Sequence, residues 1–187
     1  MPDNSPIIRA ARASDIPAIQ AIYAHYVETG TASFETAAPD LAEMTQRFQA
    51  IRARGFPYIV AEIAGTVAGY AYAGTYRARA AYDFAVEDSV YLAPDRVGHG
   101  LGRTLLGALI EACTDAGYRR MIAVIGDSAN HASISLHLAM GFSHAGVLPS
   151  AGWKHGRWVD SVMMQRALGD GDATPPRPVI PIGDSGP

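Results

Sequence analysis

Apolar residues recur along this chain with two periods, near 3.6 and near 2, and the switches between them mark out its elements. Residues 6–10 read as a short strand. Ile16, Ile19, Ile22, Tyr23 and Tyr26 then return at helical spacing behind a cap at Ser14 or Asp15, and Gly30 closes that helix. After the polar link 31–39, Asp40 and Glu43 make a start of capping-box type for a helix over 41–54, which Gly55 stops. Residues 58–63 and 67–75 read as two strands joined at Ala64-Gly65, a hairpin, and 77–82 as a basic and aromatic loop. Over 83–92 the alternation puts Phe84, Val86, Val90 and Leu92 on one face of a long strand. Ala85, Glu87, Ser89 and Tyr91 fall on the other, so Glu87 is among residues that need not be core.

Beyond this strand the stripe Leu101, Leu105, Leu109, Cys113 predicts a helix over 101–116, with Gly117 as its left-handed stop. Residues 120–125 read as a buried strand, 127–130 as a link, and 132–140 as a helix closed by Gly141. Strands over 142–148 and 158–166 flank a turn at 154–156. From Gly169 onward Pro, Gly and Asp dominate, which predicts a domain over 1–168 and a loose tail over 169–187. The order β-α-α-β-β-β-α-β-α-β-β is that of an α/β fold, a mixed and mostly antiparallel sheet flanked by helices that turns parallel near residue 92.

Composition narrows the function. With 187 residues, 49% hydrophobic and 18% charged, the chain suits one domain with an ordinary core. Its formal charge is −3 and its basic residues are scattered, so no nucleic-acid footprint is indicated. No apolar run nears the roughly 18–20 residues that span a bilayer, and residues 1–10 lack a secretory apolar stretch, so no membrane partner and a cytoplasmic location are expected. The single cysteine, Cys113, excludes an intrachain disulfide. His25, His99, His131, His144 and His155 show no metal spacing, and no metal is expected. Gly183-Asp184-Ser185-Gly186-Pro187 mimics a serine-protease string, but no chain follows it to build a pocket.

The chemistry concentrates where the strand ending at Leu92 feeds glycines 98, 100 and 102 and then a helix. Bare backbone N–H groups and a helix dipole converge there, an arrangement that holds phosphate. The spacing G-x-G-x-G is neither a Walker loop, which needs Lys and Ser or Thr after its last glycine, nor the Rossmann G-x-G-x-x-G. A strand-to-helix turn without a ligand is the alternative. Arg77 and Arg79, two forked cations beside Tyr82, suit bidentate capture of a carboxylate or phosphinate, or else form a solvated basic loop.

The segment resembles motif A of the GNAT acyltransferase superfamily, Gln/Arg-x-x-Gly-x-Gly/Ala, which holds the pyrophosphate of acetyl-CoA. Val97 takes the usual Gln/Arg position, Gly100 and Gly102 match the two small positions, and Arg96 and Arg103 flank them. The run Asn130-x-Ala132-Ser133-x-x-Leu136-His137-x-x-x-Gly141-Phe142 is similar to the family's last CoA-side motif. More specific is Arg77-x-Arg79-x-Ala81-Tyr82-Asp83-Phe84-x-Val86-Glu87-x-Ser89-Val90-Tyr91. With HYVETGTASF, GYAYAG and AGWKHGRWVD it looks like the phosphinothricin N-acetyltransferase subfamily, whose members also acetylate methionine sulfoximine. Arg77 stands where some members have Lys, and Phe84 where some have Trp.

The resemblance implies the GNAT fold over about the first 168 residues, acetyl-CoA as co-substrate, a small amine as acceptor, and a homodimer. It implies cofactor contacts from Val90, Tyr91 and Leu92 by their strand edge, from Val97, Gly98, His99, Gly100, Leu101, Gly102 and Arg103, and from Asn130. Glu87 corresponds to the subfamily's catalytic glutamate; a strand carboxylate paired with Arg77 or Arg79 is the alternative. His137 stands where many members carry a tyrosine that protonates the departing thiolate, a task open to imidazole, although a helix histidine can equally be structural. Phe34 and the group Arg77, Arg79 and Tyr82 would line the acceptor pocket. The resulting expectation is an N-acetyltransferase for an amino-acid analogue; acetylation of another amine or a protein N-terminus, or a silent CoA-binding domain, are the competing functions.

Overall fold

The computed structural model describes residues 5–182. The Gly183–Pro187 string lies outside them. Seven strands, β1 (Ile7–Ala10), β2 (Tyr58–Ile63), β3 (Thr66–Thr75), β4 (Ala85–Leu92), β5 (Arg120–Gly126), β6 (Ser143–Lys154) and β7 (Arg157–Ala167), form one sheet in the order β1-β2-β3-β4-β5-β7-β6. Every neighbouring pair is antiparallel except β4–β5. The helices are α1 (Ile16–Thr29), α2 (Leu41–Ala53), α3 (Leu101–Asp115) and α4 (His131–Ala139).

The two faces of the sheet carry different side chains, and β3 shows why. Its sequence alternates tyrosine with small residues: Tyr70 faces the cluster built by Ile19, Val27 and Phe48 of α1 and α2, whereas Ala71 and Ala73 face Leu105, Leu106 and Leu109 of α3. The small residues let α3 approach closely; a Cβ at Gly69 would fall 2.7 Å from Leu92 Cδ2. At roughly 1.5–3 kcal/mol for each fully buried large aliphatic, the leucine stripe of α3 is a main anchor of this layer.

Local expectations hold with four adjustments. The Asp40 carboxylate caps α2 by accepting Glu43 N–H at 2.8 Å, but the Glu43 carboxylate turns to Arg47, so the reciprocal half of the capping box is absent. β4 starts at Ala85 because the chain first makes a 3₁₀ turn at Ala80–Tyr82 and the Phe84 carbonyl receives the N–H groups of Arg119 and Arg120. β6 runs on to Lys154 through an irregularity between Leu148 and Gly152, where Ser150 takes a positive φ and apolar alternation breaks. The tail has no helix or strand from Leu168 to Ile182, yet it is not loose. Leu168 is buried, Arg119 donates to the carbonyls of Gly171 and Thr174, Ile180 N–H reaches Ala116 O at 2.8 Å, and Ile182 N–H reaches Gly55 O at 3.0 Å. Proline and glycine bar regular structure, but Val179 still finds apolar surface.

Candidate active site

β4 and β5 pair from Ala85 and Arg120 to Asp88 and Ala123, and then part. Each keeps its outer partner: Ser89 to Leu92 stay paired with β3, and Val124 to Gly126 with β7. A wedge therefore opens inside the sheet without unfolding either strand, and beyond Asp88 the β5-facing backbone edge of β4 loses its strand partner; among the described residues only Leu92 O is taken up, by the Tyr26 hydroxyl. The wedge is the mouth of a cleft of about 520 Å³, walled by α4 and by the glycine loop that opens α3.

At that loop Gly100 is the N-cap of α3 in the left-handed conformation, φ 80°, with no side chain capping the helix. A Cβ there would meet nothing within 4 Å, so the space before the helix N-terminus is open. Exposed N–H groups at a helix start beside open space fit a pyrophosphate. Across the cleft Asn130 caps α4, accepting Ser133 N–H at 3.2 Å while its amide donates to Gly126 O at 3.4 Å. The Tyr26 hydroxyl donates to Leu92 O at 2.8 Å and brings α1 to the mouth.

Two adjacent carboxylates on β4 face opposite ways. Asp88 shares the face of Val86 and is buried, with Oδ2 3.0 Å from His137 Nε2. His137 Nδ1 lies 2.7 Å from Ser133 O, so both ring nitrogens stand against acceptors and the pair holds a proton. Burial opposes the charge on His137, but the hydrogen bond and charge of Asp88, with the Ser133 carbonyl, outweigh it and raise its pKa. Oδ1 of Asp88 has no partner among the described residues. Glu87 points to the other face, half-buried; desolvation, with the charge of Asp88, pushes its pKa up to about 7.

Of the residues expected at the cofactor, Val90, Tyr91, Leu92, Val97, Gly98, Gly100, Gly102, Arg103 and Asn130 line the cleft, and so does His137. Leu101 does not; its side chain is 4% exposed and belongs to the core under α3. His99 is exposed at the loop rather than on the wall. None of Phe34, Arg77, Arg79, Tyr82 and Glu87 lines this cleft. The Arg77 guanidinium lies over the rings of Tyr76 and Tyr82 at 5.2 and 5.6 Å, Arg79 is exposed, and Tyr82 borders a second hollow with Arg54, Phe56 and Tyr118. Glu87 forms no ion pair with either arginine among the described residues.

Sequence reasoning missed Asp88, Tyr26 and Ala32 as parts of the cleft wall. Asp88 carried a local signal, a carboxylate at the core-facing position between Val86 and Val90. No group of three metal-ligating side chains occurs among the described residues.

A family model for the acetyltransferase (GNAT) domain matches residues 8–163. The chain is 56% identical over 169 residues to a phosphinothricin N-acetyltransferase of Alcaligenes faecalis, covering 90% of this chain and 86% of that one. It is 42% identical over 165 residues to an L-methionine sulfoximine/L-methionine sulfone acetyltransferase of Pseudomonas aeruginosa, covering 88% and 95%. Among solved structures, a GNAT superfamily phosphinothricin acetyltransferase from Sinorhizobium meliloti, in complex with AcCoA, superposes with a TM-score of 0.91 at 47% identity, covering 95% and 96% of the two chains.

Proposed function

The chain belongs to the GNAT acetyltransferase family, and from that premise we propose that it moves the acetyl group of acetyl-CoA to the amine of a small amino-acid analogue of the phosphinothricin, methionine sulfoximine or methionine sulfone type. The observation that carries this reading is the wedge between β4 and β5, with a free strand edge on one side and a left-handed glycine at a helix start below it. The residues fit acetyl-CoA: backbone N–H groups of the Gly98 to Arg103 loop for the pyrophosphate, the edge of Val90 to Leu92 for the pantetheine amides, and Asn130 on the far wall. When bound, acetyl-CoA supplies the acetyl group as a thioester.

The chain's own residues handle the protons. An acceptor ammonium must lose a proton before its nitrogen can attack. An ordinary carboxylate near pKa ~4.3 lies roughly 4 units below an α-amine near ~8. With Glu87 at about 7 the gap closes to about one unit, near 1.4 kcal/mol, so proton transfer to Glu87, direct or through water, is within easy reach. The buried His137–Asp88 pair holds a proton on the cleft wall, and His137 supplies one to the departing sulfur by giving up one of its two contacts, to Asp88 or to the Ser133 carbonyl. Arg77 and Arg79, exposed on the loop that precedes β4, are the candidates to hold the anionic head of the acceptor. The working unit is a homodimer in the cytoplasm. The exposed Trp153 and Trp158 of the β6–β7 hairpin support self-association, and no described helix is long and apolar enough to cross a membrane.

Thiol release from acetyl-CoA tests the reading against phosphinothricin, methionine sulfoximine, methionine sulfone and a peptide with a free N-terminus. Turnover of the first three well above that of the peptide is expected. Efficient acetylation of the peptide alone would overturn the acceptor class, and no turnover with any amine would overturn the enzymatic reading.

A further inference from the structure

Residues 30–39 cross from α1 to α2 as a strap without regular structure, held by charged or polar groups of α1, α2 and β6 and of the turns that follow β5 and β6. His155 Nε2 lies 3.2 Å from Gly30 O, and the Thr31 hydroxyl donates to Asp127 at 2.9 Å. Ser33 meets the Tyr23 hydroxyl at 2.8 Å, and Glu35 accepts from Arg47 and Tyr23. A further anchor is Lys154 at the end of β6, whose Nζ donates to Ser33 O at 2.7 Å. Beneath the strap two glycines remove side chains that would lift it. A Cβ at Gly126 would fall 2.1 Å from Thr31 O, and one at Gly152 would fall 2.3 Å from the Phe34 ring.

Lys154 is a poor choice for stability alone. It is 3% exposed, and among the described residues a single carbonyl accepts from its three donors. Its neighbouring carboxylate, Glu35, is already bonded to Arg47 and Tyr23. A buried cation satisfied once costs free energy that an apolar side chain of the same length would not. The strap also borders the cleft: Ala32, one residue from the carbonyl that Lys154 holds, lines its wall together with Gly126. A shift of the strap at Ser33 therefore moves the wall of the cleft and the Phe34 ring together.

We propose that Lys154 is a positioning residue for the acceptor amine: through Ser33 it seats the strap on Gly126 and Gly152, and the seated strap sets the acceptor side of the cleft. The inference rests on the N-acetyltransferase reading above. Lys154→Met keeps the length of the side chain and removes the donor; Gly152→Ala displaces the Phe34 ring while leaving Lys154 intact.

Both variants are to be compared with the parent in the thiol-release assay, with the KM of the amine and of acetyl-CoA measured separately and thermal melting alongside. We expect Lys154→Met to raise the amine KM about tenfold, the scale of losing one charged hydrogen bond, with a smaller change in the KM of acetyl-CoA, whose cleft Ala32 borders, and a Tm no lower than the parent's. Gly152→Ala should raise the same KM, and the double variant should be less than multiplicative because both act on one strap. A lower Tm with parental kinetics would make Lys154 merely structural and overturn the inference, as would parental amine KM in both variants. If Lys154→Met fails to fold, Gly152→Ala decides alone by the same criterion. A parent that transfers no acetyl group overturns the enzymatic reading and this inference together, whereas an active parent with unmoved KM values overturns this inference only.

Discussion

Glu87 and Asp88 are neighbours in sequence, yet the pleat sends them to opposite faces and so to different chemistry. Asp88 is buried and matched by His137; Glu87 has desolvation without a cation, and its pKa rises to about 7. Two consequences follow in pH. Turnover should fall as pH drops below about 7, because protonated Glu87 cannot act as a base, and Glu87→Gln should lose about 10²-fold or more near neutrality and abolish that limb of the profile. The sign for stability is opposite. A carboxylate whose folded pKa lies above its unfolded value favours the fold at low pH, an advantage lost as pH rises toward 7. Glu87→Gln should therefore melt higher than the parent at pH 8 and no higher at pH 4, as followed by circular dichroism; equal melting at both would refute the buried-base assignment. Glu87 stood out in sequence through the motif around it, alternation adding only that its carboxylate lies off the core face. The Asp88–His137 pair was not, since its members lie 49 positions apart and a period tells which face a residue takes, not which helix covers it. Lys154 sits inside the AGWKHGRWVD run, yet nothing local showed its burial: within a Lys-His-Gly turn a lysine is ordinarily solvated, and only the fold brings Ser33 over it.

At the scale of elements, the glycine loop was the most readable part of the chain because its information is local. Glycine spacing, the leucine stripe and the preceding strand all lie within residues 90–113. The wedge beside it was not readable. Val90 to Leu92 and Val124 to Gly126 are ordinary strand sequences, and both segments remain strands; what ends is their pairing with each other, a tertiary feature that no local pattern encodes. The loop also yields a sharp test. Gly100→Glu places a β-branchless but acidic side chain at φ 80° in the open space before α3, straining the backbone and putting a negative charge where the phosphates sit. Calorimetry should detect no acetyl-CoA binding, or binding weakened by two orders of magnitude or more, while the distant core remains folded by circular dichroism. Parental affinity would remove the loop from the cofactor site.

At the scale of the molecule, the sheet has two ends with different fates. The tail, expected from its composition to be loose, crosses the C-terminal end of α3 and the turn at Gly55, and gives Val179 to the core. At the opposite end β6 is an edge strand of 12 residues, exposed almost throughout, and carries Val147, Leu148 and Trp153 into solvent beside Trp158 of β7. The Trp153 and Trp158 rings pack edge to face at 5.3 Å, which stiffens the hairpin but covers neither ring. Pro149 and the irregularity at Ser150 interrupt the edge of β6, but they leave the apolar side chains of Val147, Leu148 and Trp153 uncovered, a surface suited to association. Pairing through this hairpin is the economical way to cover it, so light scattering should return about twice the 19.8 kDa of one chain at micromolar concentration. Leu148→Lys combined with Trp158→Glu should bring the mass to that of one chain, because each adds a charge to a surface that must lose water on association. If the parent already has the mass of one chain, or if the charged pair leaves the doubled mass intact, the hairpin is not the dimer surface.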